Sequence, residues 1–355
     1  TESGRNDSTI GSGHGTGERF SFNRRDAAMM ELSGRRGILN HAQGYLFAAP
    51  WLIGFFCLTV GPMLFSLGLC FFRWDGITAF SRNAVYVGVD NFRRLSEDEL
   101  FFKALANTVY YSFFSVPLGI IASLSLATLL NAKIRGIAVL RTLFYLPNVL
   151  AGVATIMLWF WLLNPEFGGL NYLLRQAGII RIGQFVIETV PGVKRFTEAW
   201  SISWPPLWLA DDFWAKPALI LMSLWNAGGG MLIYLAGLQG VPAHLYEVAE
   251  IDGAGRFRRF FAITVPMLTP TIFFHLVMSI IGSFQVFTQS FIMTNGGPDN
   301  ATLFYVLYLY RKAFQHFEMG YASVLAWILF VIILSLTMLV LRSSKLWVYY
   351  EGDRP

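Results

Sequence analysis

The chemistry this sequence offers is hydrogen bonding from neutral side chains. Asn226, Ser283, Gln285 and Gln289 stand in apolar surroundings together with His275, Ser279 and Ser290. Polar groups at membrane depth face a protein interior and often line a pathway. At about 100° per helical residue, His275, Ser279, Ser283 and Ser290 fall on one side of a broad face, with Gln285 and Gln289 on its other side. Phe273, Val277, Ile280, Phe284 and Phe291 fall opposite. The bland alternative is that Ser and Gln are interhelical glue, at about 0.6 kcal/mol each. Other chemistry lacks a constellation. His14, His41, His244, His275 and His316 are scattered, so no metal site is expected. Cys57 and Cys70 lie in one apolar stretch and are expected as packed or lipid-facing thiols. The stretch GSGHGTG at 11–17 is not followed by Lys-Ser/Thr, and the phosphate-binding pattern GxxxxGK[ST] is absent. No cofactor is expected to be bound by this chain.

The elements that must position these groups are read from the charges. The chain has 355 residues, 55% apolar and only 14% charged, against about 25% in a soluble domain. Its mean hydropathy is +0.50. Six windows lack Asp, Glu, Lys and Arg for at least 23 residues: 37–72, 104–132, 142–165, 217–246, 260–298 and 319–341. Each is long enough for a bilayer span of about 20 residues. The expectation is an all-α, polytopic membrane protein with six transmembrane helices. Long apolar blocks also argue against a membrane barrel, which alternates over about ten residues. Residues 1–40 read as a flexible tail, 41–345 as the membrane domain and 346–355 as a second tail.

Six spans put both termini on one side. Arg24, Arg25, Arg35 and Arg36, then Lys133, Arg135 and Arg141, then Arg256, Arg258 and Arg259, then Arg342 and Lys345 fall on that side. The side holds 15 of the 27 Lys and Arg residues and is expected to be cytosolic. Three loops then lie outside, among them 73–103 and the largest, an insert at 166–216. The insert carries Trp200, Trp204, Trp208 and Trp214 and is expected to be folded or interface-lying rather than a carbohydrate platform. Asn226 with Gly228, Gly229 and Gly230 marks the fourth window, where glycines are expected to permit close helix packing. Thr294–Pro298 (TNGGP) is expected as a tight turn.

One inner link is unusual. In residues 241–270 Pro242 suits the first turn of a short helix, with Leu245, Val248 and Ala249 on one side. Gly253 can end it in a left-handed turn, and a second amphipathic piece begins near Arg256 with Phe257, Phe260 and Phe261. The product is an elbow with small residues at its bend and apolar knobs beside it, suited to docking in a partner's groove.

The stretch EVAEIDGAGRFRRFFAITVP resembles the EAA signature of ABC-importer permease subunits: E-A-A, three residues, G, nine residues, I-x-L-P. The matching positions are Glu247, Val248, Ala249, Gly253, Ile263, Val265 and Pro266, with Val248 and Val265 as mild departures. Segments 107–131, 141–154, 231–242, 284–302 and 319–330 look like the carbohydrate-uptake branch, so the resemblance covers about residues 100–350. The tail and the stretch 178–210 depart from the common pattern.

The resemblance implies a type I importer permease fold whose elbow, 241–266, is a cytosolic coupling helix. Glu247, Ala249, Asp252, Gly253 and Arg256 are then the expected ATPase-coupling residues, and Asn226, Ser283, Gln285 and Gln289 the expected substrate pathway. It implies a second homologous permease, two copies of an ATPase that bind ATP and Mg, an extracytoplasmic substrate-binding protein, surrounding lipid, and no nucleic acid. The location implied is a bacterial or archaeal cytoplasmic membrane. The expected function is sugar import by alternating access, with glycerol-phosphate import in the same machinery, or a stand-alone carrier, as alternatives. An ion-coupled carrier places acids or Lys inside its spans, and the six windows have none. An enzyme would need a reactive constellation, and none stands out.

Overall fold

The computed structural model describes residues 47–349 apart from Lys133 and Ala151. The expected tail at 1–40 lies outside the described residues, as do the last residues of the tail expected at 346–355. In chain order come α1 (Phe47–Leu69), a two-strand antiparallel hairpin of β1 (Phe72–Arg73) and β2 (Val85–Tyr86), and α2 (Asp90–Glu97). There follow α3 (Glu99–Leu130), α4 (Ile137–Val149) and α5 (Gly152–Leu162). The insert holds α6 (Gly169–Gln176), α7 (Ile179–Thr189) and α8 (Pro191–Ala199). Beyond it lie α9 (Asp212–Leu224), α10 (Ala227–Gln239), α11 (Ala243–Ile251) and α12 (Arg256–Arg259). The chain ends with α13 (Thr269–Phe284), α14 (Thr288–Met293), α15 (Tyr305–Tyr310) and α16 (Met319–Trp347).

Among the described residues four helices are long and apolar enough to cross a membrane: α1, α3, the run Thr269–Met293, and α16. The third and fourth windows are not straight helices. The pair α4–α5 is bent by 98° and the pair α9–α10 by 42°, so the number of spans reaches six only if each pair is one span. In α1, Trp51 and Phe55 stack with ring centroids 5.3 Å apart.

Helix starts follow capping chemistry. The Asp98 carboxylate accepts the Phe101 N–H at 3.2 Å and starts α3 within the charged loop, five residues before the charge-free window begins. Asp211 does the same for α9, accepting the Phe213 N–H at 2.8 Å. The membrane-depth core joins α3 to α10, with Ala127 and Leu130 against Met231, Tyr234, Leu235 and Leu238. The glycines of α10 permit this contact. A Cβ on Gly228 would collide with the Phe144 carbonyl oxygen of α4, and one on Gly230 would lie 2.5 Å from Ser123 Oγ and from the His275 ring. The expected packing role is what these close approaches require.

On the loop side, a second cluster sets Phe101 and Ala104 of α3 against Tyr305, Leu307, Tyr308, Tyr321 and Leu325. Asp98 accepts hydrogen bonds from the phenols of Tyr308 and Tyr321, and Glu318 pairs with Arg94 at 2.7 Å and Lys312 at 3.3 Å. Glu318 therefore ties loop to helix as well as marking the boundary of α16. Thr294–Pro298 forms a turn, with Asn295 at φ 45° and Gly296 at φ 81°. The insert is folded. The indole N–H groups of Trp204, Trp208 and Trp214 donate to Ile180 O, Asn171 Oδ1 and Ser203 O, respectively.

Candidate functional site

The break between α9 and α10 opens a cavity. Asn226 stands at the break, with φ −84° and ψ 5°, because the chain leaves the helix after Leu224 and restarts at Ala227. Beside it lies a cavity of about 270 Å³ between α3, the break and α13. Its wall includes Asn226, Ser223, Ser115, Ser123, Ser279 and Ser283, with Tyr111 and His275, and no Asp, Glu, Lys or Arg. Two of these hydroxyls are already committed as donors. Ser283 Oγ donates to Ile280 O at 3.0 Å, and Ser223 Oγ donates to Ile220 O at 2.6 Å. Their lone pairs remain as acceptors, and the Asn226 amide supplies both donor and acceptor. His275 is oriented by Nδ1 lying 2.9 Å from the Tyr234 hydroxyl. The wall can thus bind the hydroxyls of a neutral ligand.

The structure brings Asn226 and Ser283 together with His275 and Ser279. It does not bring in Gln285 or Gln289, which are absent from the cavity wall. The physical reason is a second break. The helix expected to run through residue 290 stops at Phe284. Gln285, at φ −105° and exposed, ends it, and Phe287 at φ −135° precedes α14. One helical phase cannot be carried across such a break, so the expected common face holds only as far as Ser283. Ser290 is buried elsewhere, bonded to Thr302 O. The apolar side behaves as expected: Phe284 is buried in the second cluster, and Phe291 stacks on Phe287 at 5.2 Å. Sequence reasoning missed the α3 wall. Ser115, Gly119 and Ser123 recur every four residues, a stripe that would have located it.

The second candidate is the elbow. Pro242 is the N-cap of α11 rather than its first helical residue. Gly253 has φ +75° and receives the turn that ends α11, with its N–H bonded to Glu250 O at 3.0 Å. A helical turn then runs from Arg256 into a wider π-turn at Phe260–Thr264, leading to Pro266 and α13. Two contacts fix the bend: Arg259 pairs with Glu250 at 3.1 Å, and the Tyr246 hydroxyl lies 3.0 Å from Thr264 Oγ1. The apolar knobs point away from the chain's own core, Ile251 and Phe257 each being 84% exposed. Glu247, Asp252, Gly253 and Arg256 are exposed and Ala249 is half-buried. Among the described residues the Glu247 carboxylate has no hydrogen-bond or ion-pair partner. A Cβ on Gly253 would meet nothing within 4 Å.

Residues 115–344 match the family described as "Binding-protein-dependent transport system inner membrane component". The "Probable ABC transporter permease protein YesP" of Bacillus subtilis (strain 168) is 40% identical over 313 residues, 87% of this chain and 92% of that protein. The lactose transport system permease protein LacF of Rhizobium radiobacter is 33% identical, over 85% of this chain and 94% of LacF. The sn-glycerol-3-phosphate transport system permease protein UgpA of Agrobacterium fabrum (strain C58 / ATCC 33970) is 31% identical, over 86% and 96%. A chain in the crystal structure of a bacterial ABC transporter involved in the import of alginate shares the fold. Its TM-score is 0.69 at 24% identity, covering 87% of this chain and 97% of that one.

Proposed function

Because the chain belongs to the family of binding-protein-dependent transport system inner membrane components, we propose that it is the membrane-spanning permease subunit of an ATP-driven importer and forms the path for a di- or oligosaccharide. The observation that carries the substrate class is the cavity at the α9–α10 break, lined by hydroxyls and an amide and by no charged side chain. Sugar hydroxyls both donate and accept, and this wall offers both. The lactose-named relative supports the same class. The glycerol-phosphate-named relative favours a second reading, a phosphorylated substrate. That substrate calls for a cationic cavity, which a second permease would have to supply.

In this reading each bent pair is one span, giving six, and the elbow and both termini are cytosolic. An extracytoplasmic binding protein delivers substrate to the outer loops. Two ATPase copies hold ATP and Mg²⁺. Their closure draws together the elbows of this chain and of a related permease and opens the cavity outward; hydrolysis resets it. The exposed Ile251 and Phe257 and the unpaired Glu247 support the elbow as a docking element. Its coupling residues are Glu247, Ala249, Asp252, Gly253 and Arg256. Asn226 and Ser283 are the binding residues best supported by position, and Gln285 and Gln289 belong to the pathway outside this cavity.

The test is uptake of the sugar held by the co-purifying binding protein, in vesicles containing the whole complex. Losing a buried polar contact costs about 1–3 kcal/mol, or roughly 5- to 150-fold in affinity. Asn226→Leu and Ser283→Leu should lower uptake by that order while the complex assembles and hydrolyses ATP. Unchanged apparent affinity and rate in both would remove the cavity from the path.

A further inference from the structure

The insert contains a second cavity, separate from the one at the helix break. It measures about 420 Å³ and is lined by Tyr110, Phe196, Trp200, Asp212, Phe213 and Lys216. Three of the insert's tryptophans are consumed by the fold, each indole N–H bonded to the chain. Trp200 is different. It is 66% exposed, and among the described residues its indole N–H has no acceptor. Phe196 lies beside it, with ring centroids 6.1 Å apart at 39°. Two opposite charges complete the wall. The Lys216 ammonium is held in place, donating to Asn107 Oδ1 at 3.2 Å and lying 5.3 Å from the Tyr110 ring centroid. Asp212 is one turn earlier on the same helix face. Capping of α9 falls to Asp211, which also takes the Ser203 N–H and hydroxyl, so the Asp212 carboxylate is left without a hydrogen-bond or ion-pair partner among the described residues.

We propose that this cavity is an extracytoplasmic carbohydrate subsite that holds one end of a neutral oligosaccharide before it reaches the central cavity. The proposal rests on the reading of the chain as a sugar permease. An exposed indole offers a flat apolar face to the C–H side of a sugar ring and an N–H to one of its oxygens. A free carboxylate accepts from hydroxyls, and a fixed ammonium donates to them, both as charge-assisted bonds. A pocket of largely aromatic wall with a few convergent polar groups is the usual form of a small-ligand site. Aromatic residues and Lys at a membrane boundary also suit a phospholipid headgroup. The Asp212 carboxylate disfavours an anionic headgroup, and the test scores a phospholipid as a separate outcome. Phe196 and Trp200 come from the 178–210 stretch, and Tyr110, Asp212, Phe213 and Lys216 from outside it.

The experiment uses the whole transporter complex in nanodiscs, without ATP or binding protein, against an array of neutral di- to hexasaccharides. The strongest binder is then titrated against variants. Trp200→Ala and Asp212→Asn should each weaken binding at least tenfold, and Trp200→Phe should stay within threefold of wild type. Trp200 is exposed and its N–H is unbonded, so its removal leaves the fold intact, which a thermal melt checks. Binding within twofold of wild type in Trp200→Ala overturns the subsite, and so does an array with no binder. Loss of co-purified phospholipid in Trp200→Ala, with glycan binding intact, also overturns it and assigns the cavity to lipid. Uptake of sugar by a complex that shows either result removes only the subsite. A complex that takes up no sugar removes the proposed function as well.

Discussion

Gly253 and Glu247 make a clean pair of probes because, among the described residues, the Glu247 carboxylate has no partner and a side chain at Gly253 would touch nothing. A side chain at Gly253, at φ +75°, costs about 1–2 kcal/mol of local strain but meets open space. The Glu247 carboxylate likewise loses no partner when replaced. A Glu247→Lys/Gly253→Leu double variant should therefore insert and fold, yet lose uptake and substrate-stimulated ATP hydrolysis, as measured in reconstituted vesicles. Normal uptake would sink the coupling role of the elbow. Asp98 gives the opposite case, a residue held from every side. Burial pushes its carboxyl up, but hydrogen bonds from Tyr308 and Tyr321 and from the Phe101 N–H outweigh that and leave it below the usual carboxylate range. A depressed value means the stabilisation is present above the ordinary value of about 3.9 and fades as pH falls through the lower folded one. Asp98→Ala should cost about 1–3 kcal/mol near pH 7, seen as a lower Tm. The difference from wild type should shrink only at strongly acid pH. An equal difference at every pH would show that the carboxylate's charge is not what stabilises the cluster.

At the scale of elements, the breaks matter more than the helices. The α9–α10 break sets Asn226 at the cavity, and the glycines after it let α10 approach α3 and α4 closely enough to close the cavity's wall. Gly228→Leu should be among the most damaging single changes, because the clash is with a backbone carbonyl, which has no rotamer to yield. Overpacking of this kind typically costs about 1–3 kcal/mol or more. The expected result is a fall in the melting temperature and yield of the purified subunit, and wild-type values would contradict the packing. The Gly253→Leu variant, placed in open space, serves as its control.

For the whole molecule, the proposed orientation puts the elbow and the insert on opposite sides of the membrane. A cysteine at Asp252 should be protected from an impermeant thiol reagent added outside intact cells, while one at Thr197 should be labelled; the reverse pattern would overturn the topology. The sequence by itself determined the class of the protein. Charges are too costly at membrane depth to occur there freely, so each charge-free window holds the apolar part of a span candidate, although α3, α4, α9 and α16 run past their windows at one end. The elbow was legible for a similar local reason. Pro242, the spacing of its apolar residues and Gly253 each act within a few residues of their own position. Tertiary structure decided the site. The close approaches at the α9–α10 break join helices distant in sequence, Phe144 against Gly228 and Ser123 against Gly230, and the sequence did not show the break that ends α13 at Phe284. A uniform helical phase therefore carried Gln285 and Gln289 onto a face that ends at Ser283. The same contacts set Ser115 and Ser123, from a helix that sequence periodicity did not single out, against Asn226. Hydroxyls scattered over three segments become one wall only when those segments pack.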